Sequence, residues 1–333
     1  PALVATYRVQ LRNGVDLDRV RALIPWLCDL GISHIYLSPL FSPARGSTHG
    51  YDVTDPNCVD PTLGGEQAFQ RLSAAAREAG LGIVLDIVPN HMAFTPENPH
   101  IADLMLRGRD SRYAPLFDID WDKGPLHFPV LDGEPRELLK AGNLAFEKDA
   151  LRIQDQLYPL RTTALRQQLA SGEVLTDERL AALLSEQLWS VGHWQHSADR
   201  ICHRRFFNIS TLIGVRQEDS EVFDFTHRWI VDQVHAGRIQ GLRVDHIDGL
   251  ARPGAYLQRL RDAVGFVPIW VEKIVKQDEN IPPSWPVEGM SGYEFMTSLT
   301  QFLTQPSGLQ TLRKAAKGVV PADYDAEVQT VRN

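Results

Sequence analysis

The stretch Gly241-Leu-Arg-Val-Asp-His-Ile-Asp-Gly249 decides how the rest of the chain is read. It starts apolar, as a buried strand does, and ends in charges that a buried strand does not carry without partners. Arg243 and Asp245 are two residues apart, so on an extended chain they share one face. A guanidinium beside a carboxylate favours its ionised form and fixes its direction. At the C-terminal end of a strand, an oriented, ionised carboxylate is what sugar chemistry asks of a nucleophile. A structural Arg–Asp pair closing the strand explains the same residues, and the segment alone does not separate the two readings.

Toward the N-terminus, Leu81-Gly-Ile-Val-Leu-Asp-Ile-Val88 and Ile32-Ser-His-Ile-Tyr-Leu-Ser-Pro39 are further apolar runs, and Ala5-Thr-Tyr-Arg-Val-Gln-Leu11 alternates as a strand. Between them lie helical spacings: Leu17, Val20, Ile24, Leu27 and Leu30, capped by Asp16 and stopped by Gly31, then Glu66 to Ala79, stopped by Gly80. Toward the C-terminus, residues 225–236 and 253–264 read as helices and Pro268-Ile-Trp-Val-Glu-Lys-Ile274 as a fifth strand. Strands and helices alternate and the strands lack a polar face, which implies a parallel sheet covered by helices. From His91 to about Gly237 the rhythm breaks, over a length no ordinary connection needs. That stretch is expected to be a subdomain inserted after strand three. The chain then divides into residues 1–91 (strands one to three), 92–237 (the insertion), 238–305 (strands four and five and a helix near Phe295) and a polar tail, 306–333.

The formal net charge of −8 argues against nucleic acid or an anionic membrane surface as partner, and is compatible with a neutral substrate. Cys28, Cys58 and Cys202 are odd in number and far apart, without metal-ligand spacing. Cys28 falls on the apolar stripe of the first helix, so buried free thiols in a reducing compartment are expected. With no signal pattern and no long apolar run, the expected location is cytoplasmic, off the membrane. No metal or cofactor is called for.

The strand ends carry the chemistry. The third ends Asp86-Ile-Val-Pro-Asn90-His91, the fourth Arg243-Val-Asp245-His246, and the fifth Val271-Glu272-Lys273. Polar groups gathered at the same end of successive apolar strands mark an α/β fold of the (β/α)8 TIM-barrel kind. A doubly wound sheet would usually show a glycine-rich phosphate turn, and there is none. Asp245 and Glu272 stand on neighbouring strands. Carboxyls about 5–5.5 Å apart would give retaining glycosyl transfer, with Asp245 as nucleophile and Glu272 as proton donor. Burial beside Trp270 and Ile274 would raise Glu272 for that task. A Glu272–Lys273 surface pair is the alternative, weakened because adjacent strand residues face opposite ways.

Asp86-x-x-x-Asn90-His91, Gly241-Leu-Arg-Val-Asp245 and Val271-Glu272 resemble, in order and spacing, the first three signature regions of the α-amylase superfamily of glycoside hydrolases and transglycosylases. Gly46-Ser-Thr-His-Gly-Tyr-Asp-Val-Thr-Asp-Pro56, Arg204-Arg-Phe-Phe-Asn208, Gly241 to Leu250 and Val271-Glu-Lys-Ile274 are similar to the maltooligosyltrehalose synthase family within it. The resemblance runs from about Thr6 to about Phe302. It implies a maltooligosaccharide substrate whose reducing-end α-1,4 linkage is cleaved and rejoined, in the same site, as an α,α-1,1 trehalose linkage. It also implies that Arg243 orients Asp245 and that His91 binds the sugar next to the cleaved bond, supported by Asn90 and Asp86. Tyr51 would stack under that sugar or anchor its loop, and Asp52 would hold His49 or Arg243. His246 and Tyr293 would lie toward the reducing end. Trp285 and Tyr293 would wall a water-poor pocket or pack in the core.

One part of the family pattern is missing. The family uses a third carboxylate near the end of strand seven, but the aspartates after Glu272 are Asp278, Asp323 and Asp325, none ending an apolar strand. The expectation is therefore an incomplete barrel of five strands, a fragment completed by a second polypeptide segment. A hydrolase or 4-α-glucanotransferase of the same superfamily, and a non-catalytic glucan-binding fragment, are the alternatives.

Overall fold

The computed structural model describes residues 2–196, 198–275, 279–316 and Thr330. Its organising sheet contains β1 (Thr6–Val9), β2 (His34–Leu37), β3 (Gly82–Ile87), β4 (Gly241–Val244) and β5 (Ile269–Val271), hydrogen-bonded in that order, then the short strand Gly289–Met290. Every pairing from β1 to β5 is parallel. Strands that follow chain order without reversal are wound as in a (β/α) barrel, whereas a doubly wound sheet turns back at a switch point. β3, in the middle, is buried along its whole length.

The helices between these strands are α1 (Leu17–Ala22), α2 (Ile24–Asp29), α3 (Gly65–Glu78), α4 (Ser220–His235) and α5 (Pro253–Val264). The single helix expected after Asp16 is two. Asp16 does cap it, accepting the Arg19 N–H at 2.7 Å. Pro25, however, has no N–H to bond back, and the helix restarts at Ile24. Leu17, Val20, Ile24 and Leu27 are buried, while Leu30 is exposed. Cys28 is also exposed, contrary to expectation: it neighbours Leu27 in sequence but turns away from that buried face. Cys202 is buried, and all three cysteines are free thiols. α4 begins five residues earlier than the apolar spacing indicated, where Asp219 caps the Glu221 N–H. The loop after β2 holds an antiparallel pair, Phe41–Pro43 with Val53–Val59.

Between β3 and α4 a separate set of elements packs around Phe117, Phe128, Tyr158 and Trp189. It includes a parallel pair, Leu126–Leu131 with Trp189–His193, and a three-stranded antiparallel sheet of Leu144–Glu147, Ala150–Ile153 and Gln156–Pro159. Its ends are tied together where His91–Ala93 pairs with Leu212–Gly214. The chain forms two compact units, one comprising residues up to Lys273 with Pro282–Gly289, the other Ile274–Ile281 with the chain from Met290 onward. In the second, the described elements are helices Tyr293–Leu303 and Pro306–Ala315, the latter lying where the sequence suggested only a polar tail. Among the described residues no helix is long and apolar enough to cross a membrane.

Candidate active site

Parallel register brings the charges of β3 and β4 together. Arg243 pairs with Asp86 on one side and Trp270 on the other. Asp86 is fully buried, and its Oδ1 accepts Arg243 Nη1 at 2.8 Å. The same nitrogen donates to Asp245 Oδ1 at 2.6 Å. Asp86 Oδ2 accepts two phenols, Tyr36 at 3.0 Å and Tyr51 at 2.6 Å. Burial and the charge of Asp86 raise both phenols, so they remain neutral donors. Tyr51 in turn accepts Arg8 Nη2 at 3.1 Å.

One guanidinium is thus divided between two acids. Burial pushes Asp245 up to about 7; Arg243 pulls it down, while Asp86 and Glu272 push it further up. Burial also raises Asp86. The expectation that Arg243 simply keeps Asp245 ionised is corrected, because burial outweighs a shared cation.

Just beyond β5, Glu272 is held by backbone on both sides. Its N–H donates to Val244 O at 2.8 Å, and its Oε2 accepts the His246 N–H at 3.0 Å. His246 aims that N–H from a left-handed conformation, φ 48°. Its Nδ1 lies 3.5 Å from Asp248 Oδ1, and Lys273 Nζ lies 3.5 Å from the other Asp248 oxygen.

His91 is buried and lowered to about 3 by burial, with His246 and Arg204 adding to the effect. It is therefore a neutral imidazole. Asn90 supports it as expected, Nδ2 to Nδ1 at 3.3 Å. Asp86 does not: its hydrogen-bond partners are Arg243 and the two phenols. Asp52 accepts the Ser47 hydroxyl at 2.5 Å rather than holding Arg243. His49 Nδ1 lies 3.8 Å from Asp52 and accepts the Tyr51 N–H at 3.0 Å, so it has no hydrogen there to give the carboxylate. A cleft of about 390 Å³ is lined by His49, Tyr51, Asp52, His91, Phe206 and Asp245, among others.

Residues 10–104 match the alpha-amylase family (alpha amylase, catalytic domain). The chain is 40% identical over 317 residues to a putative maltooligosyl trehalose synthase of Mycobacterium tuberculosis, covering 92% of this chain and 39% of that protein. The chain belongs to the α-amylase superfamily. The solved maltooligosyltrehalose synthase of Arthrobacter ramosus superposes with a TM-score of 0.86 at 38% identity, covering 96% of this chain and 41% of that one. A hypothetical maltooligosyl trehalose synthase of Sulfolobus tokodaii gives 0.83 at 33% identity, covering 98% and 43%. The chain spans about two fifths of the length of these relatives.

Not every side chain singled out for this superfamily site lines the cleft. Trp285 is half-buried beside Gly254, at the start of α5. Tyr293 opens the first helix of the second unit. Asp278, Asp323 and Asp325 lie outside the described residues. Tyr36, Arg8 and Arg204 were not identified individually from the sequence as site residues. Arg204 fell within a quoted motif, whereas Tyr36 sits in an apolar strand and shows its role only when β2 pairs with β3. Among the described residues no group of three or more His, Cys, Asp or Glu is arranged to hold a metal.

Proposed function

We propose that this chain carries one side of the active site of an enzyme that converts the reducing-end α-1,4 linkage of a maltooligosaccharide into an α,α-1,1 linkage. The observation that carries the reading is the pair of acids on adjacent strands, Asp245 held by Arg243 and Glu272 held by the His246 N–H. Likeness to maltooligosyltrehalose synthases over nearly the whole chain supports the trehalose-forming outcome.

In this reading Asp245 attacks the anomeric carbon while Glu272 protonates the departing glycosidic oxygen. A glycosyl–Asp245 ester forms, and the released glucose stays in the site. Glu272, now a carboxylate, takes the proton from the anomeric hydroxyl of that glucose. The hydroxyl oxygen attacks the ester's sugar carbon and frees Asp245, so two inversions give net retention. His91 meets the sugar as a neutral hydrogen-bonding partner, with Tyr51 packed at its edge. His246 and Trp285 belong to the reducing-end side, and Asn90, Asp52 and His49 shape the loops around the cleft. Water must be kept from the ester, since it would complete hydrolysis instead.

The β1 edge is exposed over Thr6, Tyr7 and Arg8, and we assign it to pairing with a further segment that closes the barrel and brings the third carboxylate. Free thiols, one of them exposed, fit a reducing cytoplasm. The test is incubation of the full-length protein with maltopentaose. Reducing ends should disappear while chain length stays constant, and Glu272→Gln should abolish the change. New reducing ends would instead show a hydrolase, and redistributed chain lengths a 4-α-glucanotransferase.

A further inference from the structure

Arg204 takes no part in the chemistry proposed above, yet its guanidinium joins separate parts of the chain. Nε donates to Asp118 Oδ2 at 2.9 Å and Nη2 to Val215 O at 3.0 Å, both in the segment between β3 and α4. Nη1 donates to Asn90 Oδ1 at 2.8 Å and Gly249 O at 3.1 Å, beyond the ends of β3 and β4. Gly214 makes room for it, since a Cβ there would lie 2.5 Å from Arg204 Cζ, and Gly249 makes room for two of its neighbours, since a Cβ there would lie 2.3 Å from the His246 ring and 2.7 Å from Asn90 Oδ1.

The contact with Asn90 has a chemical consequence. With Asn90 Oδ1 occupied by Arg204, the amide nitrogen faces His91, whose Nδ1 accepts and whose Nε2 carries the hydrogen. Two residues after Arg204, the ring of Phe206 lies 4.6 Å from His91 and 4.5 Å from His246. Phe207, 73% exposed, stands 5.2 Å from His246 with φ at 51°. A bulky residue stays in that region only when its surroundings over-determine it.

We infer that Arg204 is a positioning residue that pins the Arg204–Phe207 segment over the strand ends, holding Phe206 as a wall across His91 and His246, and thereby sets how much of the glycosyl–enzyme is lost to water. The inference rests on the functional reading above. A planar five-donor fork makes these bonds from one point, and a lysine cannot.

The test uses the full-length protein with Arg204→Lys, and with Asp118→Asn, which weakens only the anchor farthest from the strand ends. Trehalose-ended product and newly formed reducing ends are measured from maltopentaose, alongside circular dichroism and the thermal midpoint. Arg204→Lys should lower kcat/KM about tenfold or more and raise the ratio of hydrolysis to isomerisation several-fold in folded protein. Asp118→Asn should move the ratio the same way by less. Loss of stability alone would lower the amount of folded enzyme without changing the ratio. An active wild type whose ratio is unchanged in folded Arg204→Lys overturns the inference; should that variant not fold, an unchanged ratio in Asp118→Asn overturns it. A wild type that makes no trehalose-ended product overturns the functional reading and this inference with it.

Discussion

Replacing Arg243 with methionine leaves two buried carboxylates facing one another. The side chains of Arg243, Asp86 and Asp245 are 12%, 0% and 14% exposed, so solvent screens them little. Removing one partner of a buried ion pair costs about 3–5 kcal/mol. That cost belongs to the ionised acids; once they are protonated, only the unmade hydrogen bonds remain, about 1–3 kcal/mol. The sign follows from the direction of the shift. Asp245 is raised to about 7 in the folded protein, so its contribution is fully present below the unfolded value and is lost as pH rises through about 7. Without Arg243 both acids rise further. The deficit of Arg243→Met against wild type should therefore grow between pH 5 and pH 8, reaching about 3–5 kcal/mol at the upper end. Urea unfolding followed by tryptophan fluorescence at the two pH values measures it. A deficit under about 1 kcal/mol at pH 8, or an equal one at both values, would refute the shared-cation account.

Two further outcomes follow from titrating groups. Because the nucleophile must be ionised and burial holds Asp245 near 7, kcat/KM should fall as pH drops through about 7; a pH–rate profile whose acid limb lies near 4 would show Arg243 to dominate instead. In the core between β3 and α4, both ring nitrogens of His203 are buried without partners, and burial lowers it to about 3. Its stabilising contribution is present above its unfolded value, about 6.5, and is lost as pH falls toward about 3. His203→Phe, which keeps an aromatic contact with Phe94, should be at least as stable at pH 7 and more stable by about 1–3 kcal/mol near pH 4, read from thermal midpoints.

The strands and their chemical ends were legible because a strand covered on both faces is written as an apolar run. The position at which that run acquires Asp, Asn or His marks where the chain leaves the core. Pairings between distant segments were not legible. The family resemblance gave Asp86 to His91 as a support, whereas its partners are Arg243, 157 positions away, and two phenols. The sequence showed that Arg243 neighbours Asp245 but not that Asp86 shares it, nor how deeply all three are buried. That is why the ionisation of Asp245 was misjudged. Cys28 failed for a similar reason: its neighbours marked the apolar stripe, but the rotation of α2 left the thiol outside it.

The shared guanidinium also bears on the covalent step. When Asp245 becomes an ester it loses its charge, and a cation paired with it alone would be left buried and unpaired. Asp86 prevents that, keeping Arg243 paired through the intermediate, at the expense of raising Asp245 in the free enzyme. Asp86→Asn separates the two effects. The asparagine oxygen still accepts Arg243, and its nitrogen meets the hydroxyls of Tyr36 and Tyr51, which rotate to accept. Asp245 then has the guanidinium to itself, so the acid limb of kcat/KM should move down by about one pH unit. Turnover at pH 8 should fall nonetheless, because forming the ester now leaves the buried Arg243 without a counter-charge. A limb that stays near 7 would mean that burial alone raises Asp245. Undiminished turnover at pH 8 would mean that Asp86 is not needed once the ester has formed.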